Sequence, residues 1–168
     1  MKPILLLFFA FLTLWAHPHV FIDVYPTVGP DRLALRWVFD EMNSNMLLMD
    51  FDADRDGALS PGESEVLRTE IFNNFAEYGY YTYFFDGMRE LKTGMASNFS
   101  AAVEKDRLIF AFTLPRPSAA RSVRFYDPDN WTGYRVTDAF VSEANPGKQY
   151  KLQQHEFDYV YGYILELP

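Results

Sequence analysis

Between Asp52 and Glu63 the chain reads DADRDGALSPGE, with carboxylates at the first, third, fifth and last of twelve positions. Asp52, Asp54, Asp56 and Glu63 are hard oxygen donors, and so many like charges in one short segment repel one another unless a cation lies among them. Gly57 stands sixth, where the chain must turn sharply, Ala58 at the seventh place offers a backbone carbonyl, and Ser60 at the ninth acts through water. Calcium takes six to eight oxygens, a demand this spacing meets. Ser60-Pro61-Gly62-Glu63 also reads as a helix start, with a serine cap, proline at the first helical position and glutamate at the third. The expected Ca2+ ligands are therefore Asp52, Asp54, Asp56, Ala58, Ser60 and Glu63.

The pattern is that of the EF-hand loop, and the flanking segments supply helices for it. EMNSNMLLMDF has no β-branched residue, and Met42, Met46, Leu47 and Met49 recur at near-helical spacing. On the other side PGESEVLRTEIFNNFAEYG places Val66, Leu67, Ile71, Phe72 and Phe75 on one stripe, with Gly79 as the stop. No second loop of this kind is present. A lone hand outside the cytosol, where calcium is abundant, is expected to hold a structural ion that fastens the insertion rather than a regulatory one.

Nitrogen donors form a second set. His17 and His19 follow an apolar run, Ile4 to Trp15, interrupted only by Thr13. At twelve residues the run is too short to span a bilayer, which takes about 20, but it suits a signal peptide with Lys2 before it and Ala16 at the cut. A chain cut there would begin at His17, so that its α-amine and imidazole form a chelating pair and the His19 imidazole adds a third nitrogen. Pro18 has no amide proton to lose, which prevents the square-planar chelate that a third-position histidine usually makes. Three such nitrogens suit Ni2+, Co2+, Cu2+ or Zn2+. On an extended strand residues 17, 19, 21 and 23 share a side, but Asp23 lies about 13 Å beyond His19 and is not expected to join them. His155, in QQHEFD, is a further candidate ligand, as are Asp127 and Asp129 in YDPDNW.

The other segments are strand-like. HVFIDVY is rich in β-branched and aromatic residues and is ended by Pro26, while DRLALRWVFD puts Leu33, Leu35, Trp37 and Phe39 on one face. YYTYFF and MREL flank Asp86-Gly87, and NFSAAVE and RLIFAFTL flank Lys105-Asp106, both as hairpins. RSVRFYD, YRVTDAFVSE and YKLQQHEFDYVYGYILEL read as further strands, with DPDN and NPGK as turns. The expected fold is mainly β: an antiparallel β-sandwich-like domain of about seven to nine strands, with an EF-hand helix–loop–helix inserted at about residues 41–78. The expected domains are a signal peptide, 1–16, and a single β-domain, 17–168.

Removing 16 of 168 residues leaves 152, and losing Lys2 moves the net charge from −8 to −9. So acidic a chain is a poor partner for nucleic acid or anionic membrane surfaces. No transmembrane helix remains after signal cleavage. The lack of cysteine suits an oxidising compartment and removes thiolates from any metal site. Neither Gly-x-Ser-x-Gly nor His-Glu-x-x-His occurs, and Asp40-Glu41 stands where a helix start wants acids, so the chain is not expected to be an enzyme.

In their order HPHVFID, WVFDEM, DFDADRDGALSPGE and FYDPDNW resemble a bacterial domain-of-unknown-function family, number 1007, over essentially the whole chain. Its members are labelled periplasmic components of uncharacterised ABC-type transport systems. The resemblance implies a periplasmic protein associated with nickel/cobalt-type membrane transporters. A chain of 152 residues is, however, small for a two-lobed solute-binding protein. The reading is a periplasmic metal-binding accessory protein that handles a transition metal for a membrane transporter and carries one structural calcium site. Two alternatives stand beside it. One is a copper oxidase or oxygenase with a histidine brace, in which His17 is joined by His19 or His155. The other is a calcium-stabilised periplasmic adaptor that holds its partner through exposed aromatics such as Tyr80, Tyr81 and Tyr83.

Overall fold

The computed structural model describes residues 19–168, so the expected signal peptide and His17 lie outside the described residues. Two five-stranded sheets make the framework. The first begins with a hairpin of β1 (Val20–Val28) and β2 (Arg32–Phe39), closed where Gly29 N donates to Arg32 O at 2.9 Å. Alternation does what period two requires: Leu33, Leu35, Trp37 and Phe39 all point into the core, none more than 3% exposed. Strands β5 (Ser97–Glu104) and β6 (Arg107–Pro115) extend the sheet beyond β2, and β8 (Thr132–Arg135) pairs parallel with the first residues of β1.

Pro26 lies inside β1 rather than ending it. The pairing with β8 covers only Val20 to Asp23, so at Pro26 the outer side of β1 has no strand partner and the missing N–H interrupts no ladder. Asn145 takes over that edge. Its Oδ1 accepts from Val28 N at 2.8 Å, and its Nδ2 donates to Pro26 O at 2.7 Å.

The second sheet comprises β3 (Thr82–Asp86), β4 (Arg89–Leu91), β7 (Ser122–Phe125), β9 (Leu152–Phe157) and β10 (Val160–Glu166), in the order β4-β3-β7-β10-β9. The core holds Trp37, Phe84, Phe110, Phe112, Phe125 and Leu165 among its buried side chains. Among the described residues ten strands form rather than seven to nine, because the last long segment folds back on itself at Asp158-Tyr159. YRVTDAFVSE is not one strand: after β8 it becomes α3 (Asp138–Ala144). Thr137 caps that helix by accepting from Phe140 N at 3.2 Å, a local signal that overrode the β-branched residues around it.

Two helices follow β2. α1 (Glu41–Phe51) is capped by Asp40, which accepts from Asn43 N and from Phe21 N, each at 2.8 Å. The acid at this junction is thus a helix-start residue, as its position implied. α2 (Pro61–Glu70) starts at the capping box of Ser60 and Glu63. It ends earlier than its apolar stripe suggests and passes into a 3-10 helix, Phe72–Tyr81, whose last residues Gly79, Tyr80 and Tyr81 have φ of 57°, 55° and 50°. Val66, expected in the stripe, is exposed, whereas Leu67 and Phe72 are buried. Both helices are tied to the first sheet by a serine. Ser44 Oγ accepts from Leu108 N at 2.9 Å, and Ser64 Oγ accepts from Ala101 N, on the edge strand β5, at 3.3 Å. No helix among the described residues is long and apolar enough to cross a membrane.

Candidate metal centre

The acidic loop bridges the C-terminus of α1 and the N-terminus of α2. Asp52 ends α1, its amide donating to Leu48 O at 2.9 Å. Its carboxylate then turns into the loop: Oδ2 accepts from Gly57 N at 2.9 Å and Oδ1 from Asp56 N at 3.2 Å. Asp56 Oδ1 accepts in turn from Ala58 N at 2.8 Å. Gly57 has φ +81°, and a Cβ there would meet nothing within 4 Å, so the glycine answers a demand of the backbone and not of space. Glu63 closes the loop, accepting from Ala53 N at 2.6 Å and from Ser60 N at 2.8 Å.

These bonds bring one oxygen each of Asp52, Asp54 and Glu63 within 4.8 Å of one another. Asp52 is buried, Glu63 half-buried and Asp54 exposed. The electrostatics record the crowding. A hydrogen bond from the Asp56 amide lowers the Asp54 carboxyl, yet the Asp56 carboxylate, burial and the Glu63 carboxylate together leave it above its ordinary value. Glu63 is held below its ordinary value by hydrogen bonding with the Ser60 hydroxyl and then with the amides of Ser60 and Ala53. With oxygen as the only donor element, the cluster fits a divalent metal ion of the hard kind. Of the other expected ligands, Asp56 directs a carboxylate oxygen to Ala58 N, and Ser60 Oγ accepts from Glu63 N at 3.3 Å as the helix cap.

The described histidines do not join this cluster. His19 is exposed just before β1, its ring 5.4 Å from the Trp131 ring and its amide donating to Trp131 O at 2.9 Å. Asn43 of α1 donates to its carbonyl at 3.1 Å. Asp23 is taken by Arg135, whose Nε and Nη2 each lie 2.6 Å from a carboxylate oxygen. His155 sits on β9 and lines an open cleft with Tyr126, Pro128 and Asp158. Among the described residues, neither histidine belongs to a group of three ligand atoms within reach of one ion. Asp127 is 3% exposed, and its carboxylate accepts from Asp129 N and Thr132 N, both at 2.9 Å. That spends it on shaping its own turn.

The aromatic patch is also rearranged. Tyr80, expected at the surface, is buried, and its Oη accepts from Ala96 N at 3.2 Å. Tyr81 and Tyr83 are half-buried, Tyr81 packing against Phe75 and Tyr134 and Tyr83 against Tyr126. Tyr80 and Tyr81 take left-handed backbone after Gly79, while Tyr83 lies on the extended strand β3, an arrangement a residue pattern does not disclose.

A family described as "Protein of unknown function (DUF1007)" matches residues 3–159. An uncharacterized protein of Haemophilus influenzae is 27% identical over 142 residues, covering 77% of this chain, and the chain spans 65% of that relative's length. No solved structure matches the chain. With the family match running over nearly the whole sequence, the chain belongs to the DUF1007 family.

Proposed function

We propose that this chain is a periplasmic metal-binding accessory protein whose loop from Asp52 to Glu63 is a single EF-hand calcium site. The convergence of Asp52, Asp54 and Glu63 across the ends of two helices carries this reading. An ion bound there joins the end of α1 to the start of α2 and so fixes the helix–loop–helix on the sheet, a structural role. Asp56, Ala58 and Ser60 complete the proposed ligand set. The resemblance to periplasmic transport components supports the location and the second half of the proposal: His17 and His19, with the free amine at a cut after Ala16, hold Ni2+, Co2+, Cu2+ or Zn2+ for exchange with a membrane transporter. No catalytic residue is assigned.

Two titrations test the halves separately. Calorimetry with Ca2+ on the intact chain and on Asp52→Asn should show binding in the first and a large loss in the second. At calcium about 100 times the dissociation constant the ion adds about 2.7 kcal/mol of stability. Equal heats from both proteins would end the loop assignment. For the histidines, copper, nickel, cobalt and zinc are titrated into calcium-saturated protein beginning at His17 and into the same chain with two residues placed before it. Tight binding lost on extension supports the amine site, and binding indifferent to extension removes it.

A further inference from the structure

Every described methionine faces solvent: Met42 is 60% exposed, Met46 57%, Met49 81%, Met88 88% and Met95 72%. Methionine is ordinarily among the more buried residues and a filler of core gaps. Here the core is built from Phe, Leu, Val, Ile and Trp, and the thioethers are kept outside. Three of them share α1 at spacings of four and three residues.

At 100° per residue Met42, Met46 and Met49 fall within an arc of about 60°. That arc lies opposite Ser44, which is fully buried and bonded to Leu108 N, while Leu47 and Phe51 pack toward the core. Neighbours at these spacings have Cβ atoms about 5–6 Å apart. Methionine's three rotatable bonds then let adjacent sulfurs close on one ion. α1 has no Lys or Arg, and Glu41 and Asp50 lie on it.

Thioethers are neutral and soft, and they select Cu(I) over the hard cations that carboxylates hold. With no cysteine in the chain, no thiolate competes for such an ion. We propose that Met42, Met46 and Met49 form a thioether site for a soft monovalent cation, Cu(I) or its analogue Ag(I), on the outer face of α1. Its ligands differ from those of the acidic loop and of the N-terminal amine, although Met49 lines one cleft with Asp52.

The test is a titration of silver nitrate, in chloride-free buffer at pH 5.5, into calcium-saturated full chain with isotope-labelled methionine methyls. Acid suppresses imidazole binding, whereas a thioether has no proton to lose. The methyl signals of Met42, Met46 and Met49 should move together and saturate at a single equivalent, with Met88 and Met95 unmoved. Met46→Leu, a swap of similar volume, should weaken silver binding at least about tenfold, a conservative figure for removal of a direct ligand. The same variant should keep the calcium affinity, and Met88→Leu should change neither. Movement of the Met88 and Met95 methyls equal to that of the α1 methyls, no movement below millimolar silver, or undiminished binding by Met46→Leu would each overturn the proposal. The last outcome, with the fold intact, would leave this face as an apolar contact surface only.

Discussion

Replacing Gly57 by alanine separates the backbone demand of the acidic loop from its ligand chemistry, because a Cβ at that position meets no atom within 4 Å. The whole effect must come from φ, which is +81°. A residue with a Cβ pays about 1–2 kcal/mol for the left-handed region. Alanine recovers about 0.4–1 kcal/mol of this by having a less disordered unfolded chain than glycine. The net loss is about 1 kcal/mol, or about 2–4 °C in melting midpoint for a domain of this size. Calorimetric melts in saturating calcium should show that loss in full, since the proposed ion would hold the loop in place. In chelator the exposed loop can relax, and the gap from the unsubstituted chain should narrow. Gly57→Asn should lose less than Gly57→Ala, because asparagine tolerates the left-handed region. A Gly57→Ala midpoint equal to the unsubstituted protein in calcium, or an asparagine variant as unstable as the alanine one, would refute the argument.

The tie between α1 and the sheet is open to the same treatment. Ser44→Ala leaves the Leu108 amide without its partner, costing about 1–3 kcal/mol, less about 0.5 kcal/mol from alanine's better helix propensity. Urea unfolding should show a lower midpoint with an unchanged slope. Alkaline pH acts through the inward-turned tyrosines. Burial first, and the Asp127 charge after it, push Tyr81 up from 10.0 to about 12. The folded chain therefore holds this proton to higher pH than the unfolded chain does. The associated stability is whole below pH 10.0 and is lost as pH rises toward about 12. Tyr81→Phe should flatten part of that decline in a melting profile, and only part, since Tyr83 and Tyr134 are raised as well.

The convergence of Asp52, Asp54 and Glu63 was legible because it is local: the three carboxylates lie within twelve consecutive residues, between two helix-forming segments. The β1/β2 hairpin was legible for a similar reason, since period-two alternation over Leu33 to Phe39 admits one buried face. What escaped depends on contacts between residues distant in the chain. Nothing near Asn145 announces that its side chain replaces a missing strand partner beside Pro26, and nothing near Tyr80 announces that a left-handed turn buries it. The helix α3 was hidden because valines and phenylalanine outweighed a single capping threonine. The methionines of α1 were read as helix-formers, and only their exposure makes them candidates for chemistry.

The bond from Ala101 N to Ser64 Oγ has a consequence for solubility. β5 is the outermost strand of its sheet, and a bare strand edge is a template on which another chain can add. α2 packs against that strand, and the capping box of Ser60 and Glu63 fixes where α2 begins. The cap thus acts at a distance against self-association: whatever unwinds the start of α2 loosens the cover of Ala101 N and leaves that part of the β5 edge available to a neighbouring molecule.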